Sequence, residues 1–292
     1  MGMTDNLTDL TVGALLTRAR ASLEQGQRRL WRHSDSSGLD VQLLLAHVLG
    51  CPRSGLLAQP ERVLTEAAVA AFQSLLVRCA AGEPLAYLTG TREFWSLPLT
   101  VTPAVLIPRP ETELAVERCL ALLAHARDPI RVCDLGTGCG AIALALANER
   151  RSWHITATDC SAAVLAVARS NAARLGLRLQ WLQGDWFEPL QGQRFDLIVS
   201  NPPYIAAADA ALAALAYEPQ QALVAGPGGM EALYRLVEQA SAHLASGGAL
   251  VLEHGADQAA ALARALVAGG YARVRCHQDL AGRDRVTEAC WR

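Results

Sequence analysis

The chain has no lysine: all 26 of its basic residues are arginine. A phosphate-binding P-loop, a kinase strand lysine and a pyridoxal Schiff base each need a primary amine, so those three chemistries are excluded. Its eight cysteines form no Cys-x-x-Cys pair and no Cys/His cluster at zinc spacing. Spread through apolar segments, as at Cys79, Cys119 and Cys133, they are expected to be buried free thiols. No uncharged apolar stretch is long enough to span a membrane, and the start, Met1-Gly-Met-Thr-Asp-Asn, lacks the basic and apolar regions of a secretory leader. These features point to the cytoplasm. Arginine and acid are interspersed, the net charge is −2, and there is no basic stripe of the kind that tracks nucleic acid. That favours a protein substrate and no membrane or direct nucleic-acid partner.

What is present is most informative at Asn201-Pro202-Pro203-Tyr204. The loop follows Arg194–Ser200, an apolar β-branched run that reads as a buried strand. In a parallel α/β sheet such a loop points into the ligand crevice. Two prolines have fixed φ and no N–H donors, leaving a stiff turn that presents carbonyls. With the Asn201 carboxamide and the Tyr204 ring, it suits a planar group bearing an NH2. Taken alone, the tetrapeptide reads equally as a sharp loop.

The upstream sequence shifts that balance. Ile130–Leu135 reads as a first strand, Gly136-Thr137-Gly138-Cys139-Gly140 as a tight turn, and Ala141–Ala147 as the start of a helix. The spacing fits a dinucleotide fingerprint, so the loop by itself does not separate a nicotinamide enzyme from an S-adenosylmethionine enzyme. Trp153–Thr158 reads as a second strand ending at Asp159, which can accept both ribose hydroxyls or cap the following helix over Ser161–Leu175. Cys139 has no histidine near it in sequence and reads as a loop-packing residue.

The 292 residues, 51% of them hydrophobic, allow two domains. Helical spacing over Thr8–Gln27, Leu39–Leu49 and Thr65–Ala81 predicts a small all-α domain at 1–81, read equally as a stabilising cap or a docking surface. Residues 82–106 form a linker with a hairpin expected over Leu85–Leu106, and a helix is expected to start at Glu111. Over 107–292 strands and helices alternate, predicting a mostly parallel sheet with helices on both faces. The last two strands, Tyr271–His277 and Arg285–Trp291, are too close for a crossover and should pair antiparallel, which points toward the methyltransferase variant of the α/β sheet.

In order along the chain stand Gly82-Glu-Pro-Leu-Ala-Tyr-Leu-Thr-Gly90, Arg92–Leu99, Leu106-Ile-Pro-Arg-Pro-Glu-Thr-Glu113, Asp134–Ile142, Gly184-Asp-Trp-Phe187, Ser200–Ile205 and Leu252-Glu-His-Gly255. With this set the chain resembles the glutamine-N5 methyltransferases of peptide-chain release factors, the HemK/PrmC family, over nearly its whole length. The resemblance implies a class I methyltransferase domain, Rossmann-like and seven-stranded, using S-adenosyl-L-methionine and releasing S-adenosyl-L-homocysteine. It implies a substrate glutamine in the Gly-Gly-Gln tip of bacterial release factors, engaged with help from the helical domain by a monomeric enzyme. It places Gly136, Thr137, Gly138, Cys139 and Gly140 along the methionine end of the cofactor, Asp159 at the ribose, and Asp185 and Trp186 beside the adenine, and counts Asn201 among the cofactor-binding residues. Asn201 and the Pro202 carbonyl would accept from the substrate amide, and Pro203 and Tyr204 would complete its site. Between Asp209 and Glu218-Pro219 the chain lacks an arginine that the family pattern carries. Rival readings are a glutamine methyltransferase of a large-subunit ribosomal protein, a DNA or RNA base-amine methyltransferase, and a non-catalytic cofactor-binding scaffold.

Overall fold

A computed structural model describes residues 11–29, 37–127 and 129–292. Residues 8–10 of the first expected helix, and the polar start, lie outside them. The chain divides into two compact units, Met1–Gly90 and Thr91–Arg292.

The first unit is helical. In α1 (Val12–Arg29) the buried Val12, Leu15, Ala19 and Leu23 recur at three- and four-residue steps, the period that puts apolar groups on one helix face. They share a core with Val41, Leu44 and Leu45 of α2 (Ser37–Leu49), with Leu56 of the short α3 (Arg53–Leu57), and with Val69 and Phe72 of α4 (Glu66–Ala80). Thr65 caps α4, its Oγ1 accepting from the Ala68 N–H at 3.2 Å. The expected hairpin does not begin at Leu85. Leu85–Thr89 is instead a short helix, α5, whose first turn closes on the Pro84 carbonyl, which accepts from Tyr87 and Leu88 at 3.0 and 3.2 Å. Proline pre-sets a φ that suits a helix start, and that local preference outweighs the aromatic and β-branched content that suggests a strand.

The second unit opens with the hairpin itself, β1 (Thr91–Phe94) against β2 (Leu97–Thr100). Its two turn residues, Trp95 and Ser96, both have positive φ, the twist that two-residue hairpins require. Neither is glycine, and the strained turn is held by Trp95, whose backbone and indole N–H groups donate to Glu113 and Glu149, each at 2.8 Å. A 3-10 turn, Pro110–Thr112, then leads into α6 (Glu113–Leu122), two residues later than expected.

The sheet follows the alternating pattern: β3 (Arg131–Leu135), α7 (Ala141–Glu149), β4 (His154–Asp159), α8 (Ala162–Leu175), β5 (Gln180–Gln183), β6 (Phe195–Ser200), α9 (Glu231–Ala240), β7 (Leu244–Glu253), α10 (Ala259–Ala268), β8 (Ala272–Gln278) and β9 (Asp284–Cys290). The strand order is β5-β4-β3-β6-β7-β9-β8. All pairs are parallel up to β7, and β9 enters antiparallel between β7 and β8. This is the seven-stranded sheet with a terminal antiparallel hairpin that the sequence predicts. Central strands covered on both faces read as continuous apolar runs, and β6 is buried from Leu197 to Ser200. Every residue of α7 from Ala141 to Ala147 is buried, its alanines allowing close approach to the sheet. The order reverses between β3 and β6, so the crevice lies at the carboxyl ends of those strands.

All eight cysteines are free. Cys79, Cys119, Cys133 and Cys139 are buried, as expected, but Cys160 and Cys276 are exposed, one in the loop beyond β4 and the other on the edge strand β8, where one side of the sheet is uncovered. Among the described residues no helix is long and apolar enough to cross a membrane, and no group of three His, Cys, Asp or Glu could hold a metal ion.

Candidate active site

A cavity of about 490 Å³ opens at the carboxyl ends of the central strands. Its first wall is the turn from β3 into α7. The Thr137 N–H donates to the Thr158 carbonyl at 2.9 Å and the Gly138 N–H to Asp159 Oδ2 at 3.2 Å, so the end of β4 holds the turn open. Gly138 and Gly140 have φ of +57° and +89°, a region costly for any residue with a Cβ. At Gly140 a Cβ would also lie 2.9 Å from Leu144 Cδ1. Behind the turn the fully buried Asn171 donates to the Cys139 and Thr100 carbonyls, both at 3.0 Å, tying the loop to β2.

Beneath this wall lies Asp134, buried at the end of β3. Its Oδ2 accepts from Thr137 Oγ1 at 2.6 Å and from the Ala143 N–H at 3.2 Å, while Oδ1 has no partner among the described residues. Burial pushes its carboxyl up to about 6, and the two hydrogen bonds oppose that rise. Cys139 is also buried, which raises its thiol to about 12. A thiol that stays protonated packs the loop and is no nucleophile.

Asp159 stands on the rim. Its two oxygens accept from Gly138 and Ser161 N–H groups, at 3.2 and 3.1 Å, and burial raises its carboxyl despite them. The cap of α8 is Ser161 itself, whose Oγ accepts from Val164 at 3.4 Å. Oδ1 also receives the Cys160 thiol at 3.8 Å, whereas Oδ2 keeps a lone pair for a further donor such as a hydroxyl. Beyond it, Trp186 sits at φ +51°, and a Cβ on Gly136 would meet its ring at 3.4 Å, so the indole lies against the glycine turn. Asp185 pairs with Arg235 Nη1 at 2.6 Å across the mouth, both side chains 40% exposed or more.

The opposite wall is the loop after β6. Ser200 Oγ donates to the Leu135 carbonyl at 2.7 Å, locking the ends of β3 and β6 together. Asn201 Nδ2 donates to Thr112 Oγ1 at 3.1 Å, which leaves the Asn201 carbonyl oxygen to accept from a ligand. Tyr204 is set back, its hydroxyl donating to Glu253 Oε1 at 3.4 Å and burial holding its phenol at about 12. The missing arginine before Glu218 leaves no bare acid: the buried Glu218 pairs with Arg109 and accepts from the Ile107 N–H at 3.2 Å.

Of the residues singled out from sequence, Gly136, Thr137, Gly138, Cys139, Asp159, Asp185, Trp186, Asn201 and Pro203 line this one cavity. Gly140, Pro202 and Tyr204 do not. Gly140 starts α7 against Leu144, Pro202 is buried in its own turn, and Tyr204 turns toward Glu253. Sequence reasoning gives no role to Asp134, Thr112, Asn171, Arg235 or Glu253. Three of them lie inside motifs that carry the resemblance, and only the tertiary contacts reveal what they hold.

A mostly parallel seven-stranded sheet with a terminal hairpin, a glycine turn facing the Asp159 carboxylate, and an Asn-Pro-Pro-Tyr loop beside them define a class I, S-adenosylmethionine-dependent methyltransferase. The described residues fit that cofactor: the turn brings backbone close without side chains, and Asp134 and Asp159 lie where a cationic, ribose-bearing ligand would rest. The family models agree, with "PrmC N-terminal domain" matching residues 15–90 and "Methyltransferase small domain" residues 117–267. The release factor glutamine methyltransferase of Xylella fastidiosa (strain Temecula1) is 50% identical over 252 residues, covering 85% of this chain and 91% of that protein. The protein of that name from Vibrio cholerae is 45% identical over 282 residues, covering 95% and 96%. A solved Thermus thermophilus 16S rRNA N2 G1207 methyltransferase, in complex with AdoMet and guanosine, shares the fold at TM-score 0.53 and 22% identity, over 69% of this chain and 50% of that one. The chain belongs to the release factor glutamine methyltransferase family.

Proposed function

We propose that this enzyme methylates the side-chain nitrogen, N5, of the glutamine in the Gly-Gly-Gln motif of bacterial release factors. The observation that carries the reading is the orientation of Asn201. With its NH2 committed to Thr112, its carbonyl is the acceptor presented beside the glycine turn. A substrate carboxamide offers two N–H bonds, and the Asn201 and Pro202 carbonyls take them. Pro203 and Tyr204 stiffen and back this loop. Across the cavity the Gly136–Gly140 backbone receives the methionine end of the cofactor, Asp159 the ribose, and Asp185 with Trp186 the adenine. Bound there, S-adenosyl-L-methionine supplies a methyl already activated by its sulfonium.

An amide nitrogen is a weak nucleophile because its lone pair is delocalised into the carbonyl. The two acceptors fix both N–H bonds, turn the remaining electron density toward the methyl and stabilise positive charge developing on nitrogen. Holding nitrogen, methyl and sulfur in line contributes roughly 7–11 kcal/mol of barrier reduction. No general base is required, since the N-methylated amide is acidic enough to lose its proton to water. The N-terminal helical unit serves release-factor recognition, and the enzyme works as a cytoplasmic monomer.

The test is mass spectrometry of unmethylated release factor after incubation with the protein and S-adenosyl-L-methionine. One added methyl on the Gly-Gly-Gln glutamine supports the reading. A methyl on ribosomal protein or on a nucleic-acid base, with the release factor unmodified, would replace it.

A further inference from the structure

The loop after β6 is held at its front and at its back by one closed circuit of hydrogen bonds and short chain segments. At the front, Thr112 Oγ1 accepts from Asn201. Thr112 belongs to the turn before α6, where its N–H donates to the Arg109 carbonyl at 3.1 Å. At the back, residues 219–226 run beside the loop as a strap. The Ile205 N–H donates to the Leu223 carbonyl at 2.9 Å, the Ala225 N–H to the Ile205 carbonyl at 3.0 Å, and the Ala207 N–H to the Gly226 carbonyl at 2.9 Å. The buried Glu218 stands just before that strap and returns it to the turn. One of its oxygens accepts from the Arg109 guanidinium and the other from the Ile107 N–H at 3.2 Å. A carboxylate that commits both oxygens to donors of one short segment fixes direction as well as distance. Around the circuit Pro108, Thr112, Asn201, Pro203, Pro219 and Val224 all line the cavity.

We infer that Arg109 and Glu218 are positioning residues that close this circuit and so hold the Asn201 acceptor at a fixed place in the cavity. The inference rests on the glutamine-methylation reading for its kinetic consequence, but not for its geometry. A buried ion pair is commonly no more stabilising than an apolar pair of the same volume, so what this one adds is direction. Opened at Glu218, the circuit leaves the turn that holds Asn201 and the strap that holds Ile205 free to shift relative to each other. The far end of the strap is anchored separately, by Gln258, whose Nε2 donates to the Tyr204 and Gly229 carbonyls at 2.9 and 3.0 Å. The consequence of opening is therefore local. It loosens the start of the strap and the front of the loop, and leaves β6 and the glycine turn in place.

Arg109→Met deletes the guanidinium but leaves a buried carboxylate unpaired, which threatens folding. Arg109→Met combined with Glu218→Met buries an apolar pair of similar size and no charge, so it keeps the test open if the single variant fails to fold. Arg109→Lys keeps the charge without the planar fork. With release factor as substrate, at a temperature where urea titration shows the variant folded, the double variant should lower kcat roughly ten- to a hundredfold, the scale of a slightly misplaced reacting group. Arg109→Lys should keep part of the activity that Arg109→Met loses. In the free protein, amide hydrogen exchange at Ile205 and Ala225 should quicken by about tenfold or more in the double variant, with Leu197, Ile198 and Val199 of β6 unchanged. Equal kcat in wild type and the double variant overturns the inference. So does exchange at Ile205 and Ala225 that is unmoved, or that quickens only in step with β6 as a merely stabilising pair would make it. Wild-type protein that leaves release factor unmethylated overturns the functional reading instead, and the exchange measurement then still decides the circuit.

Discussion

The two walls of the cavity are built in opposite ways. The glycine wall takes its shape locally: Asp134 to Ala143 supplies the turn, its buried carboxylate and the helix start from ten consecutive positions, and Thr158, Asp159 and Asn171 only brace it. The Asn201 wall is assembled from a distance, with Thr112 lying 89 residues before Asn201 and Glu253 lying 49 residues after Tyr204. Backbone conformation shapes one side, hydrogen bonds between distant segments the other. Shape at the glycine wall should tolerate loss of a side-chain contact, whereas a single wrong donor at the Asn201 wall leaves a substrate proton facing another proton.

The sharpest way to break that contrast is Asn201→Ala. It removes the acceptor and leaves the glycine wall intact, so kcat should fall about 10²- to 10³-fold, the scale seen when one preorganised transition-state hydrogen bond is deleted. The S-adenosyl-L-methionine Kd should stay within about threefold. Comparable losses in kcat and in cofactor binding, measured by single-turnover kinetics and calorimetry, would mean that the loop serves the cofactor and that the walls are not separable.

Asp134 sharpens the comparison from the other wall, through stability. Its carboxyl rises from 3.8 in the unfolded chain to about 6 in the folded protein because burial opposes charge. Between those values the folded state holds the proton that the unfolded chain has lost. Stability attributable to Asp134 therefore declines as pH rises from about 4 to about 6, by on the order of 3 kcal/mol. Glu253 has the same sign over an overlapping window, from 4.5 to about 7. Asp134→Asn cannot ionise, so the loss of unfolding free energy between pH 4 and pH 7, read from urea titrations, should shrink by that order while the Glu253 share persists. An unchanged slope in the variant would show that Asp134 is not the buried titrating group.

This difference in construction also explains what can be read from the chain. The glycine turn, Asp159 and the parallel sheet are legible because turn chemistry, strand runs and spacing are local signals, and each falls within a residue or two of its observed place. Asn201 is legible as an acceptor from its loop, but the device that orients it is not. Thr112 and Glu253 appear in sequence as ordinary members of Pro-Glu-Thr-Glu and Leu-Glu-His-Gly, and no periodicity records that one accepts from Asn201 and the other from Tyr204. Leu85–Thr89 reads as part of a hairpin because Tyr, Leu and Thr suit a strand, whereas Pro84 starts a helix there. Adjacency to Asn201 suggests that the Pro202 and Tyr204 side chains face the cavity, yet the Pro202 ring is buried in the turn and the Tyr204 hydroxyl reaches Glu253.

The smallest expected effect separates two reasons for a glycine within one wall. At Gly138 φ is +57° and no described atom lies within 4 Å of the place a Cβ would take, so alanine costs only the left-handed backbone, about 1 kcal/mol. At Gly140 φ is +89° and the Cβ would press on Leu144 Cδ1 at 2.9 Å and Ala168 Cβ at 3.4 Å. Leu144 and Ala168 are fully buried, so the neighbour has little room to give, and Gly140→Ala should lose about 1–3 kcal/mol more than Gly138→Ala in urea unfolding. Cofactor affinity should run the other way, because Gly138 lines the cavity and Gly140 does not. A methyl at Gly138 stands where the ligand approaches and should weaken S-adenosyl-L-methionine binding more than one at Gly140. If stability and affinity instead fall together at both positions, the turn acts as one rigid unit, and the division between a packing glycine and a ligand-facing glycine is lost.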